Sequence, residues 1–207
     1  MSRFAEMSVA QLLAALASPD PTPGGGTAAA IAGAMGASLL VMVAALPKSK
    51  SNTDDERAAL ARASAAIQPL ASRLTQLADE DARAFDAVMA AYRLAKANDD
   101  EKAARARAIQ DALREATTVP LETVRACGAA IEYGRAVADF GNRSASSDVG
   151  VAIGLLQAAA DGAAANVRIN LTSLKDESFR DTTAAELARL AEAARSHAAE
   201  ALRSVAS

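Results

Sequence analysis

Residues 21–46 read PTPGGGTAAAIAGAMGASLLVMVAAL, and the fold turns on how this stretch is read. Two prolines and three successive glycines precede twenty uncharged residues, Thr27 to Leu46. The prolines bias the residues before them away from helix. The glycines let backbone approach a partner closely. Thr27 is placed to cap a helix, its hydroxyl accepting from N–H groups of the first turn. Along that helix Ala29, Gly33, Gly36, Ala37 and Leu40 form a small-residue face. Ile31, Met35, Leu39, Met42, Val43 and Leu46 form a bulkier one. A helix apolar on every side is buried, in a core or in a membrane. About 20 apolar residues suffice to span a bilayer. Here Ala, Gly and Ser supply little hydrophobicity, and no cationic cluster precedes the run. A signal peptide fits less well, because the run follows Glu6 and Asp20 rather than a basic start. The stretch therefore predicts a Gly-rich loop feeding the central helix of an all-α domain.

Composition supports that class. The 207 residues suffice for one core, so a single domain over 1–207 is expected. Half the chain is hydrophobic, much of it Ala, while aromatics are only 3%, which suits closely packed helices rather than sheet. The net charge of -3 gives no support for nucleic-acid binding. The lone Cys127 cannot form an internal disulfide, which fits a reducing cytoplasm.

Six to eight helices are predicted. Ser8 with Gln11 is a capping-box pattern for a short helix ending near Ala17. The central helix closes at Leu46-Pro47, and Lys48 to Asn52 form a basic, polar link. Thr53 with Glu56 starts a helical pattern running from Asp54 to about Ala97, which Pro69 should kink or split. Asn98 with Glu101 starts another, kinked or restarted at Pro120, ending at Gly141 as a C′ glycine. The loop GNRSASS (141–147) precedes an apolar helix from about Asp148 to Leu174, spotted with glycine. Asp176 caps a last helix to about Val205, with Phe179, Leu187, Leu190, Ala194 and Leu202 on its buried side. No strand pattern or long repeat is visible.

Asp81 stands out. Leu70, Leu74, Leu77, Phe85 and Val88 make an apolar stripe, and Asp81 falls inside it, whereas Asp79 and Glu80 lie off it and should be solvated. A carboxylate in an apolar stripe is costly unless paired or functional. Desolvation raises its pKa, which suits a general base or acid. The alternative is a buried Asp paired with a cation or capping another helix. Asn166 and Asn170 share a helix face and can grip one polar ligand, or bond between helices. Asp148 has the azimuth of Asn166 but lies about 27 Å away along the axis, too far to share a small group. It can instead serve as N-terminal helix charge, with Ser146 or Ser147 capping. Lys48, Lys50 and Arg143 lie in or near the two loops and could meet a polyanion. His197 has no second ligand type nearby, so no metal site is expected. Cys127 reads as an inert helical thiol. The glycine loop lacks the following G-K-[ST] of a phosphate loop and the preceding strand of a dinucleotide fold.

In order, PTPGGGTAAAIAGAMGASL, ADEDARAFDAVMAAY, DDEKAARARAIQDALREATTVPLE, GNRSASSDVGVA and AAANVRINLTSLKDESF resemble the cyclodeaminase/cyclohydrolase family over nearly the whole chain. That family includes bacterial methenyltetrahydrofolate cyclohydrolases and the C-terminal domain of formiminotransferase-cyclodeaminase. The resemblance implies an all-helical homodimer binding folate in a cleft between subunits. The matching positions are Pro23, Gly24, Gly25 and Gly26 in the loop, Asp81 in an ED-x-x-AF motif, Asn142 and Asp148 in GN…SD, and Asn166 and Asn170 in NV-x-INL. The chain departs from it at Pro47 to Asn52, where relatives carry GKKKY, and at Ser144, where a second Asn is usual.

The expected activity is hydrolysis of 5,10-methenyltetrahydrofolate to 10-formyltetrahydrofolate. Asp81 would act as base or as an anion stabilising the cationic substrate. Lys48 would hold a carboxylate or assist proton transfer, and the Gly-rich helix start would receive a glutamate-tail carboxylate. No metal or redox cofactor is needed, and no membrane or nucleic acid is involved. The alternatives are a formiminotetrahydrofolate cyclodeaminase releasing ammonia, and a helical dimer that binds folate or a protein without turnover.

Overall fold

The computed structural model describes residues 4–47 and 52–206. Among them are six α-helices and no strand: α1 Val9–Leu16, α2 Gly25–Ala45, α3 Asp54–Tyr92, α4 Asp99–Phe140, α5 Ser146–Leu171 and α6 Glu177–Ala206. Short 3₁₀ turns cover Phe4–Glu6 and Arg143–Ala145. The capping boxes at Ser8 and Thr53 form as expected, and Asn98 Oδ1 accepts from Glu101 N. Asp176 Oδ1 accepts from Phe179 N at the start of α6.

The central helix α2 packs against α3 and α5, with α4 beneath it and α6 laid along α4 and α5. Its small-residue face goes inward: Gly33, Gly36, Ala37 and Leu40 are buried. Gly36 shows why the face is small, since a Cβ there would lie 2.7 Å from the Ala152 carbonyl oxygen of α5. The bulkier face goes outward except for Val43, and Met35 is 56% exposed. Contacts of Gly26 with Asp81 and Gly33 with Leu74 make α2 and α3 antiparallel. Contacts of Gly36 with Ala152 and Gly33 with Ala159 do the same for α2 and α5. In this register α2 is the helix among the described residues long and apolar enough to cross a membrane, but its inner face is core.

Several expectations are corrected. The cap of α2 is Gly24, not Thr27: the helix starts three residues earlier, and Thr27 is a buried residue of its first turn. α3 stops at Tyr92 rather than near Ala97, and α5 covers Ser146–Leu171 rather than about 148–174, with no serine side chain capping it. Neither proline splits its helix. Pro69 is exposed, so water can satisfy the Ala65 carbonyl that loses its partner. Pro120 is buried, and the carbonyl it orphans, that of Ala116, accepts instead from Asn170 Nδ2 at 2.6 Å. Gly141 does not adopt the left-handed conformation of a C′ glycine. Its φ is -63°, and glycine is required because a Cβ would lie 2.4 Å from the Val137 carbonyl oxygen. Phe85 and Leu202, expected inside, are exposed. Asp79, expected in solvent, is buried and accepts from Phe4 N at 2.7 Å, tying the N-terminal segment to α3. Glu80 pairs with Arg73.

Candidate active site

Asp81 leaves the inner side of α3 and meets the first turn of α2. Its Oδ2 accepts from the Thr27 hydroxyl at 3.1 Å, and the Thr27 N–H also reaches the carboxylate. A Cβ on Gly26 would lie 2.1 Å from Asp81 Oδ1. Gly26 is therefore glycine because the carboxylate occupies the volume a side chain would fill. The positive end of the α2 dipole and its free N–H groups suit an anion there. That anion is supplied by the chain itself: the terminus predicted to receive a substrate carboxylate is already occupied by Asp81.

Two opposed effects set the carboxyl's acidity. Burial pushes the Asp81 pKa up from 3.8, and the Thr27 hydroxyl and N–H pull part of the way back. The outcome is a carboxyl above the usual carboxylate range, held in one position, with a side chain that is only partly buried. It combines the geometry of a helix cap with a proton affinity raised by burial.

The rest of the predicted set divides between two ends of the molecule. Pro23 and Gly26 are buried, Gly26 against Asp81, with Gly24 at the cap and Gly25 exposed. A Cβ on Gly162 would lie 3.6 Å from that of Ala29, and Asn166 follows one turn later on α5, so it comes level with the α2 start. Asn166 Nδ2 donates to the Gly162 carbonyl at 3.0 Å, and Asn170 sits one further turn out on Ala116. Asn142 is elsewhere. Its Nδ2 donates to the Pro47 carbonyl at 2.6 Å and its Oδ1 accepts from Ser144 N, so it pins the 141–147 turn to the far end of α2. Asp148, in the first turn of α5, lies toward that same far end. From Gly26 to Leu46 the axis of α2 spans about 30 Å. Lys48 and Lys50 lie outside the described residues. Arg143 is exposed, with the Ser204 carbonyl 3.5 Å from Nη1.

Thr27 was expected only as a cap; its contact with Asp81 crosses 54 positions, and no local pattern announces it. Cys127 is buried in the core with its thiol pushed up to about 12 by desolvation, which suits packing rather than chemistry. Among the described residues no three His, Cys, Asp or Glu side chains stand together as a metal site.

A second feature lies on the outer side of α2. A groove of about 830 Å³ runs between α1 and α2, lined by Leu12, Leu13 and Leu16 on one wall and Ile31, Met35 and Met42 on the other. No residue of α1 is buried, and Val9 is 74% exposed.

The family model for formiminotransferase-cyclodeaminase matches residues 8–189. The chain is 44% identical over 180 residues to a methenyltetrahydrofolate cyclohydrolase of Methylorubrum extorquens, covering 87% of this chain and 86% of that protein. It is 36% identical over 180 residues to the formimidoyltransferase-cyclodeaminase of Mus musculus, covering 86% of this chain but only 33% of the mouse protein. The crystal structure of a formiminotetrahydrofolate cyclodeaminase from Thermotoga maritima superposes with a TM-score of 0.86 at 29% identity, over 97% of this chain and 96% of that one.

Proposed function

The chain belongs to the formiminotransferase-cyclodeaminase family, and we propose that within it this protein is a methenyltetrahydrofolate cyclohydrolase, converting 5,10-methenyltetrahydrofolate to 10-formyltetrahydrofolate. The observation that carries the reading is the Asp81 carboxylate, fixed on the α2 terminus with its proton affinity raised. The bacterial relative of matching length and higher identity bears the cyclohydrolase name, which favours hydrolysis over deamination.

The methenyl carbon is an electrophilic amidinium bridging N5 and N10. Asp81 takes a proton as water oxygen bonds to that carbon, giving a neutral tetrahedral adduct. The carbon–N5 bond then breaks, the carbonyl forms, and N5 receives a proton, leaving the formyl group on N10. One proton is released overall. A carboxylate of ordinary acidity is a weak base at neutral pH; the upward shift of Asp81 narrows that gap. Its negative charge also stabilises the bound cation before water adds.

A second reading keeps this site. The structural relative from Thermotoga maritima is titled a formiminotetrahydrofolate cyclodeaminase, and the same carboxylate could serve ring closure with loss of ammonia.

In this reading residues 1–207 form one helical domain that works as a homodimer in the cytoplasm. The Asp81 end and the Asn142–Asp148 end are too far apart in one copy to hold one pterin. Antiparallel pairing of two α2 helices through their outer faces sets the first end of one copy beside the second end of the other. The absence of charge between Gly25 and Ala45 and the apolar α1–α2 groove support that pairing. Lys48 is assigned, from the sequence, to hold a carboxylate of the substrate or to assist proton transfer.

Asp81→Asn tests the assignment, because it keeps shape and removes the base. Turnover should fall by about 10²–10⁴-fold, while affinity for tetrahydrofolate, which lacks the cationic carbon, changes little. Full activity in this variant would remove Asp81 from the mechanism.

A further inference from the structure

Asn166 and Asn170 share more than a helix face. Each spends its amide nitrogen on a main-chain carbonyl: Asn166 on Gly162 and Asn170 on Ala116. A carbonyl can only accept, so the NH₂ group of each side chain must face it, and the orientation of both amides is fixed by their partners. For Asn170 the reason is specific, since Pro120 cannot give Ala116 its helical hydrogen bond. Among the described residues, neither Oδ1 atom receives a hydrogen bond. They stand one helical turn apart, about 6 Å between Cβ atoms. Asp81, at the same end, is a further acceptor. This corner of the molecule therefore offers oxygen acceptors and asks for N–H donors.

Two side chains one turn apart on one helix face can reach a single chemical group between them. An aromatic primary amine points two N–H bonds about 120° apart, so its acceptors lie about 5 Å from each other. Resting on the folate reading above, we propose that the Asn166 and Asn170 carbonyl oxygens bracket the exocyclic 2-amino group of the pterin ring. The pair then determines which ring system the site accepts. A ring with a methyl in place of the amine would leave both oxygens facing a group that cannot donate. Pro120 is the device that sets the polarity at Asn170: it makes a carbonyl that must be satisfied, and the amide turns its nitrogen inward to do so.

The test compares dissociation constants of the purified protein for tetrahydrofolate and for its 2-desamino-2-methyl analogue. The wild type should bind the analogue at least about tenfold more weakly. Asn166→Ala removes one of the two acceptors and should lower that ratio. Asn170→Ala removes the donor to Ala116 and could fail to fold, so Pro120→Ala/Asn170→Ala is measured beside it. There the backbone N–H of residue 120 satisfies Ala116 while the acceptor is still missing. A ratio that also falls in this double variant supports the bracket. A ratio unchanged from wild type in Asn166→Ala and in the double variant, with tetrahydrofolate still bound, overturns it and leaves the folate reading standing. Failure of the wild type to bind tetrahydrofolate overturns both.

Discussion

At position 26 a methyl group and the Asp81 carboxylate compete for one volume, since a Cβ there would lie 2.1 Å from Asp81 Oδ1. Gly26→Ala should expel the carboxylate from the helix terminus and lower turnover nearly as far as Asp81→Asn does, while the far end of the molecule is unchanged; steady-state kinetics on the two variants checks this. Thr27→Val removes the hydroxyl that holds the Asp81 pKa down. The pKa should then rise, and the acid limb of the pH profile of kcat/KM should move to higher pH. A downward or absent shift would mean that the limb reports another group. The same residue also has a stability signature. Because the folded state holds the Asp81 proton more tightly than the unfolded chain, ionising it costs stability. The cost begins as pH rises past 3.8 and is complete above the raised folded value. The Tm of Asp81→Asn relative to wild type should therefore increase across that window. Asp81 was legible in the sequence as a carboxylate inside an apolar stripe. Its partners were not, because Gly26 and Thr27 lie more than fifty positions away and only the packing of α2 on α3 brings them together.

Among the elements, the two prolines show what a sequence can and cannot tell. A kink or a break was expected at each, and the break does not occur: both sit inside continuous helices. The exposed one needs only water for the freed carbonyl, whereas the buried one requires Asn170 from another helix. Helix ends were legible where a side chain caps them, at Ser8, Thr53, Asn98 and Asp176, because those caps are local. They were misplaced at α2 and α5, where the N-cap residues, Gly24 and Ala145, make no side-chain cap bond. A double-mutant cycle on Pro120 and Asn170 checks the pairing. Asn170→Ala should cost about 1–3 kcal/mol in the wild-type background and little in Pro120→Ala, where the backbone has its own donor. Equal costs in both backgrounds would show that Asn170 acts elsewhere. At the α2–α5 crossing, Gly36→Ala should lose about 1–3 kcal/mol in denaturant unfolding, since the nearest obstacle is the Ala152 carbonyl of the backbone, not a flexible side chain.

For the molecule as a whole, the small-residue face of α2 was legible as core and the bulkier face was not legible as surface. Hydrophobicity alone cannot tell a face buried within one chain from one buried between two. The outer face of α2 and the unburied α1 form one apolar surface, and in the dimer proposed here they are covered. Met35→Asp should give a folded monomer in sedimentation, with little loss of Tm and a large loss of turnover, because each site would lack the partner's residues. An active monomer would confine the site to one chain. The reaction itself is tested most directly by mixing the purified wild-type protein with 5,10-methenyltetrahydrofolate and following the methenyl absorbance. A parallel reaction measures ammonia from 5-formiminotetrahydrofolate. The cyclohydrolase account predicts loss of the methenyl absorbance well above the spontaneous rate and little ammonia. Ammonia release without accelerated hydrolysis, or silence in both reactions, would contradict it.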